Sequence, residues 1–254
     1  MGAIAETEVE AGRRAWPAPT RPWAMRQTWR DLLFAHWPVD PALLRPSIPA
    51  PLQLDTFDGQ AWVGVVPFHM SGIRLRQVPL AAPWLSAFPE LNVRTYVTAP
   101  GGAKPGVYFY SLDAANPIAV ALARRWYNLP YFYARMNCRR TGDWISYTSH
   151  RVHPGAPAAD FVGQYRPTGP VLRVGAGSLE AWLTARYCLY VAGARGRVCR
   201  GDIDHDPWPL QAAEAELRLG GLVARHGIPL PDTAPLLHFS RRLEVRAWTL
   251  EPLG

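Results

Sequence analysis

The run Phe88-Pro89-Glu90-Leu91-Asn92-Val93-Arg94-Thr95-Tyr96-Val97 alternates with period two and reads as a β-strand. Leu91, Val93, Thr95 and Val97 form one face, apolar apart from a single hydroxyl. Glu90, Asn92, Arg94 and Tyr96 form the other, and each carries a hydrogen-bonding group. Two environments account for such a strand. In an open sheet the polar face lies in water. In a sheet that closes on itself the polar face looks inward and meets a ligand. The remainder of the chain has to supply the strands that the second arrangement needs.

It supplies many. With 26 prolines and 21 glycines in 254 residues, the chain is cut into short segments, which suits strands and turns better than a bundle of long helices. Strands are expected at Gln27–Trp37, Leu52–Phe57, Gln60–Phe68, Gly106–Leu112, Tyr131–Met136, Asp143–Ser149, Phe161–Tyr165, Arg186–Val191, Val198–Ile203, Leu236–Ser240 and Leu243–Trp248. Asp58-Gly59 reads as a hairpin turn between the second and third of these. Pro41 to Arg45 forms one helical turn, with Asp40 as N-cap and Pro41 at the first helical position. Helices are expected over 114–127, stopped by Pro130, over 178–185, opened by Ser178, and within 208–225, which is rich in alanine, leucine and glutamate. Residues 71–88, with Pro79 and Pro83, read as a loop or flap over the core. A turn is expected around Gly193 and Gly196. Residues 1–24 read as a loosely packed or disordered tail, because Pro17, Pro19 and Pro22 break any regular element. Residues 25–254 then form a single α+β domain, mostly antiparallel, with no internal repeat.

The formal charge is +7, carried almost wholly by arginine, with Lys104 as the one lysine. No basic block is longer than a pair, and Arg13-Arg14, Arg124-Arg125, Arg139-Arg140 and Arg241-Arg242 are scattered, which argues against a nucleic-acid partner. Cys138, Cys188 and Cys199 are odd in number and lack CxxC spacing, so they suit a reducing cytoplasm and not a disulfide framework. Neither a signal peptide nor an apolar run of membrane-spanning length is read.

Few residues form a constellation with specific chemistry. Glu90 and Arg94 share a face but lie roughly 13 Å apart along the strand, so each must find a cross-strand neighbour or a ligand. A buried arginine clamps a carboxylate through its planar fork of donors. A buried glutamate becomes a general acid or base when desolvation raises its pKa. A structural ion pair with neighbouring strands explains both residues equally well. Asp202, Asp204 and Asp206 imitate a calcium loop, but Pro207 stands where glycine is needed and Ala213 where the closing glutamate is needed. His150 and His153 share no helical face, the other histidines are isolated, and no metal site is expected. His205 reads as a turn histidine. No P-loop, GxSxG or dinucleotide fingerprint occurs, and no cofactor is expected.

Several segments in order resemble a family of bacterial proteins, the YqjF-like proteins: His36-Trp37-Pro38-Val39, Leu54-Asp55-Thr56-Phe57-Asp58-Gly59, Val65-Val66-Pro67-Phe68, Phe88 to Val97, Ser111-Leu112-Asp113-Ala114, Leu129-Pro130-Tyr131, Arg186-Tyr187-Cys188-Leu189-Tyr190, Pro207-Trp208-Pro209-Leu210-Gln211 and Leu236-Leu237-His238-Phe239-Ser240. That family is distantly similar to acetoacetate decarboxylase, which implies a largely antiparallel, cone-like β-barrel around a buried pocket. The decarboxylase forms a Schiff base on a lysine shortly after the helix that Ile118 to Tyr127 match. Here Asn128, Leu129 and Pro130 occupy that neighbourhood, and Lys104 lies upstream in a Gly/Pro turn. Arginine cannot supply the primary amine, so Schiff-base decarboxylation is not expected. The resemblance implies a pocket for a small anionic or carbonyl-containing ligand, lined by Asn92, Arg94 and Tyr96, with Arg124, Arg125 and Tyr187 as neighbours and Glu90 as acid/base of a lyase-like reaction. A carrier or sensor without turnover uses the same pocket, and assembly into a homo-oligomer stays open.

Overall fold

The structure, a computed structural model, describes residues 14–77, 86–127 (the side chains of residues 126 and 127 excepted), 129–192 and 197–253. Residues 78–85 of the expected flap, the turn around Gly193 and Gly196, and the first half of the expected tail lie outside them. Thirteen strands among the described residues join in one sheet. Strand β1 (Met25–Val39) pairs antiparallel with β3 (Ala61–Leu75), β3 with β4 (Phe88–Thr98), and β4 with β5 (Gly106–Ala114). The two-residue β2 (Gln53–Leu54) edges β4. Strand β5 has two further neighbours, both parallel, β6 (Tyr131–Thr141) and β9 (Cys188–Ala192).

From β6 the pairing runs through β7 (Trp144–Arg151), β8 (Asp160–Val171) and β11 (Leu210–Arg218) to β12 (Leu236–Ala247), which returns to β1. From β9 it runs through β10 (Val198–Asp204) to the far end of β12. The short β13 (Glu251–Pro252) edges β10. The sheet therefore closes on itself twice. A nine-stranded ring and a seven-stranded ring share β1, β3, β4, β5 and β12. Three short α-helices among the described residues complete the expected α+β architecture: α1 (Pro41–Leu44), α2 (Pro117–Tyr127) and α3 (Leu179–Thr184). Asp40 caps α1 through Ala42 N–H, and Ser178 caps α3 through Ala181 N–H, as their sequences require.

The nine-stranded ring is packed solid. Leu33, Ala35 and Trp37 of β1, Val63 and Val65 of β3, and Leu91 and Val93 of β4 meet Ile145, Tyr147, Phe161, Tyr165 and Phe239 in one cluster. Because side chains alternate along a strand, the other faces of β1, β3 and β4 turn into the seven-stranded ring. One bulge keeps that division consistent along β1. Asp31 adopts a left-handed conformation (φ 48°), and the β1–β3 register shifts between Arg30 and Ala35. Before it, Met25, Gln27 and Trp29 face the smaller ring; after it, Leu32 and Phe34 do. An extra residue of this kind re-aims every following side chain, and aspartate tolerates left-handed backbone better than most residues.

Several sequence expectations change. Residues 208–225 hold no α-helix, only the start of a 3-10 turn at Ala224–His226; Leu210–Arg218 is strand β11, paired with β8 and β12. Helix propensity is a weak prior, and here both ladder partners are waiting on either side. Ala213, Ala215 and Leu217 pack toward the core, so a period of two was present beneath the helix-forming composition. Asp58-Gly59 does make a tight turn, with both φ values positive and Phe57 bridged to Gln60. However, the expected hairpin over Leu52–Phe57 does not form, because Gln53–Leu54 pairs with β4. The described start of the expected flap, to Leu75, continues β3. Leu236–Ser240 and Leu243–Trp248 are one strand, β12, ending at Ala247. The described part of the expected tail is anchored: Arg14 pairs with Asp202 at 2.7 Å, Trp16 meets the Tyr187 ring edge-on, and Trp248 donates to the Arg21 carbonyl.

Candidate functional site

The seven-stranded ring encloses a cavity of about 300 Å³. Three of the four residues Glu90, Asn92, Arg94 and Tyr96 on the polar face of β4 line it: Glu90, Asn92 and Arg94, which are 3%, 4% and 8% exposed. Most of the remaining wall is apolar, from Trp29 on β1, Phe68 and Met70 on β3, Phe109 and Leu112 on β5, and Ala119, Leu122 and Ala123 on α2. Asn116 fixes the start of α2 by accepting from the Ile118 and Ala119 N–H groups, which sets that apolar face against the opening. Asp202, His205 and Trp208 close the side toward β10.

Glu90 stands at one end. Its carboxyl accepts a hydrogen bond from the Tyr131 hydroxyl at 2.8 Å, and Tyr131 also lines the cavity. Burial pushes the Glu90 carboxyl up to about 8; the Tyr131 hydrogen bond opposes this and the Asp113 charge reinforces it. Glu90 is therefore protonated at neutral pH and has a proton to donate. Asp113 is held by Arg151 in a buried ion pair at 2.8 Å, and burial still pushes it up to about 6 against that partner.

Arg94 and Arg186 form the other end. Arg94 lies across β3 where Gly64 leaves room: a Cβ there would stand 3.4 Å from the arginine Cγ and 3.0 Å from the His36 ring. Its guanidinium sits 5.2 Å from the Phe34 ring centre and 5.8 Å from that of Tyr96. Among the described residues Arg94 has no carboxylate partner and its Nε has no hydrogen-bond partner. Arg186, which follows α3, sits 4.8 Å from the same Tyr96 ring and pairs with Asp55 at 2.5 Å. One of its terminal nitrogens, Nη2, is buried without a protein partner. Nearby His36 is held well below the usual imidazole range, first by burial and then by the charges of Arg94, His238 and Arg186, so it is neutral and adds no positive charge. Its Nε2 shares a 2.6 Å hydrogen bond with the Tyr96 hydroxyl.

The expected site residues thus divide. Glu90, Asn92 and Arg94 come together around the cavity. Tyr96 is fully buried behind it, bound to His36 and packed on Trp182 at 4.9 Å. Arg124 and Arg125 are on the exposed side of α2, where Arg124 donates to the Tyr131 carbonyl. Tyr187 is buried outside the cavity, stacked on His205 at 4.5 Å. Sequence reading missed Arg186, Tyr131, Trp29 and Trp208. Arg186 adjoins the chosen Tyr187, and alternation into β9 puts the two on opposite sides. Lys104 does not line the cavity; its carbonyl accepts from Tyr190 in a turn where Lys104 has φ 49°. Two of the three aspartates that imitate a calcium loop are engaged by arginines, Asp202 by Arg14 and Arg200 and Asp204 by Arg246.

Comparison with known proteins agrees with this architecture. An acetoacetate decarboxylase from Legionella pneumophila superposes with a TM-score of 0.64 at 12% identity, covering 100% of this chain and 98% of that one. The enduracididine biosynthesis enzyme MppR, complexed with pyruvate, superposes with a TM-score of 0.63 at 11% identity over 93% of each chain. These likenesses establish the fold, a decarboxylase-like cone of largely antiparallel strands. The protein YqjF of Bacillus subtilis (strain 168) is 47% identical over 228 residues, 90% of this chain and 92% of that one. Residues 26–244 match the family model described as an uncharacterized conserved protein, domain of unknown function 2071. The chain belongs to this YqjF-like family.

Proposed function

We propose that the chain binds a small carboxylate-bearing carbonyl compound, an oxo-acid, in the cavity of its seven-stranded ring and exchanges a proton with it through Glu90. The observation that carries this reading is Arg94: a buried guanidinium at a cavity wall, without a carboxylate partner among the described residues. A buried charge is costly unless paired, and a ligand carboxylate supplies the missing charge through two parallel hydrogen bonds. Arg186 strengthens the field, since Asp55 neutralises only one of two positive charges. At the other end, the protonated Glu90 donates to a carbonyl oxygen, or, once ionised, takes a proton from the carbon beside it. No lysine lines the cavity, so the chemistry proceeds without a Schiff base. The fold relative complexed with pyruvate supports an oxo-acid as the ligand class. The positive charge does not favour nucleic acid, because Arg14, Arg151, Arg166, Arg186, Arg241 and Arg246 are paired with carboxylates.

The test is a panel of oxo-acids, read by thermal shift on the wild type and on Arg94→Gln and by deuterium exchange in heavy water on the wild type and on Glu90→Gln. Stabilisation of the wild type that Arg94→Gln loses supports the binding reading. Exchange at the carbon beside the carbonyl that Glu90→Gln loses supports the catalytic one. Binding without exchange or turnover makes the protein a carrier or sensor, and the absence of stabilisation by any oxo-acid overturns the proposal.

A further inference from the structure

The two ends of the cavity are joined by an aromatic wall. The Arg94 guanidinium lies over Phe34 at 5.2 Å, Phe34 meets Trp208 edge-on at 4.8 Å, Trp208 stacks on Trp29 at 5.7 Å, and Trp29 meets Phe68 at 5.6 Å. Phe68 is the register partner of Glu90 on β3. Trp208, Trp29 and Phe68 all line the cavity. Phe34 lies buried behind the lining, so the cavity itself meets Trp208, Trp29 and Phe68, and Phe34 links these rings to Arg94. Along β4 the Cα atoms of Glu90 and Arg94 are roughly 13 Å apart, four residues of strand rise. Two further cavity-lining residues carry a buried polar atom without a hydrogen-bond partner among the described residues, the Asn92 Oδ1 and the Trp29 indole N–H. A cavity of about 300 Å³ is also at the size that buries most of a drug-sized molecule. A three-carbon oxo-acid is short against this span and leaves most of the aromatic wall bare.

We infer that the ligand is an elongated aryl carboxylate with a neutral carbonyl at its far end: its carboxylate on Arg94 and Arg186, its flat body against Trp29, Trp208 and Phe68, and its carbonyl oxygen accepting from Glu90 beside Tyr131. The inference rests on the proposed anion site and adds the length and the body of the ligand. Aromatic pairs gain energy beyond the area they bury, so the wall selects a flat body over a flexible one of equal length. The carbonyl selects through the buried acid, which is left without an acceptor when the far end is apolar.

The experiment measures affinity by calorimetry and thermal shift on the whole chain, using 4-acetylcinnamate, 4-ethylcinnamate, decanoate and pyruvate as probes. The expected order is 4-acetylcinnamate first, at least tenfold tighter than 4-ethylcinnamate and decanoate, with pyruvate weakest. In Glu90→Gln the carboxamide still donates, so the preference for the acetyl compound narrows but survives; in Glu90→Leu it vanishes. In Trp29→Leu the preference for cinnamates over decanoate is lost. Pyruvate binding as tightly as the cinnamates, and depending on Arg94, would overturn the elongated ligand while leaving the anion site standing. Failure of every carboxylate, in a wild type that unfolds cooperatively, overturns both. The ranking of probes on unaltered protein requires no variant to fold.

Discussion

The two rings use the same five strands for opposite ends. In the nine-stranded ring the shared strands present Leu33, Ala35, Val63, Val65, Leu91 and Val93, and the interior is filled. In the seven-stranded ring their alternate residues present Gln27, Trp29, Glu90, Asn92 and Arg94, and the interior is hollow. The difference shows how a closed sheet holds a costly interior. Burial of apolar side chains on one face stabilises a strand by about 1.5–3 kcal/mol for each large residue, which offsets polar groups left without protein partners on the other. A cavity with a neutral carboxyl and an uncompensated guanidinium is tenable because the same backbone is locked by the packed ring.

The largest expected effect comes from Glu90. Its folded pKa of about 8 exceeds the ordinary value of 4.5, so below 4.5 both folded and unfolded chains hold the proton, and between the two values only the folded chain does. Stability contributed by this group is complete below the ordinary value and is lost as pH rises toward the folded one, in total roughly 5 kcal/mol. Glu90→Gln removes that slope. Urea unfolding from pH 5 to 9 should therefore show the wild type weakening relative to the variant, with the gap levelling above pH 8. Asp113, pushed to about 6, bends both curves in the same sense and cancels in the comparison. Parallel curves would mean that Glu90 is ionised and that the hollow ring is wetter than described.

Neighbouring residues on β4 give the next contrast. Leu91→Ala opens a void in the packed ring and should cost about 2–5 kcal/mol. Asn92→Ala removes a polar side chain whose Oδ1 has no protein partner, and should leave unfolding free energy nearly unchanged. Equal losses would erase the distinction between the rings. Gly64→Ala lies between these cases. Its new methyl presses on His36 and the Arg94 stem, an overpacking that should cost about 1–3 kcal/mol and shift Arg94 in the cavity. Carboxylate affinity should then fall by more than the stability loss explains.

How far these features were legible follows from how far each depends on one segment. The faces of β4 could be read from alternation in ten residues, and so could Glu90, Asn92 and Arg94 as one polar row. The double closure could not, since it depends on β5 taking two parallel partners and β12 reaching β10. Tyr131, Arg186 and Trp208 reach the cavity from three distant stretches, and nothing local marks them. Arg124 and Arg125 misled because a helix beside a pocket presents one side to it, and the inward side is Ala119, Leu122 and Ala123. Strand β11 misled because Ala, Leu and Glu favour helix, while the alternation Ala213, Ala215, Leu217 was the truer signal.

The smallest effect has the most diagnostic sign. Arg94→Met keeps a long side chain over Phe34 and removes a buried charge that has no carboxylate partner among the described residues. A residue kept for packing would be missed, and the variant would unfold more easily. A residue kept for a ligand is a burden to the empty protein, because binding groups in a dry site are held at the expense of stability. The free variant should therefore be more stable than wild type, by about 1 kcal/mol, a scale usual for such relief. The order should reverse in the presence of a carboxylate ligand, which stabilises only the wild type. Arg186→Met offers the internal control. It abandons Asp55, which is only partly exposed, so the free protein should lose stability where Arg94→Met gains it. Opposite signs at two arginines around one tyrosine ring would separate the guanidinium that completes the fold from the one that waits for a ligand.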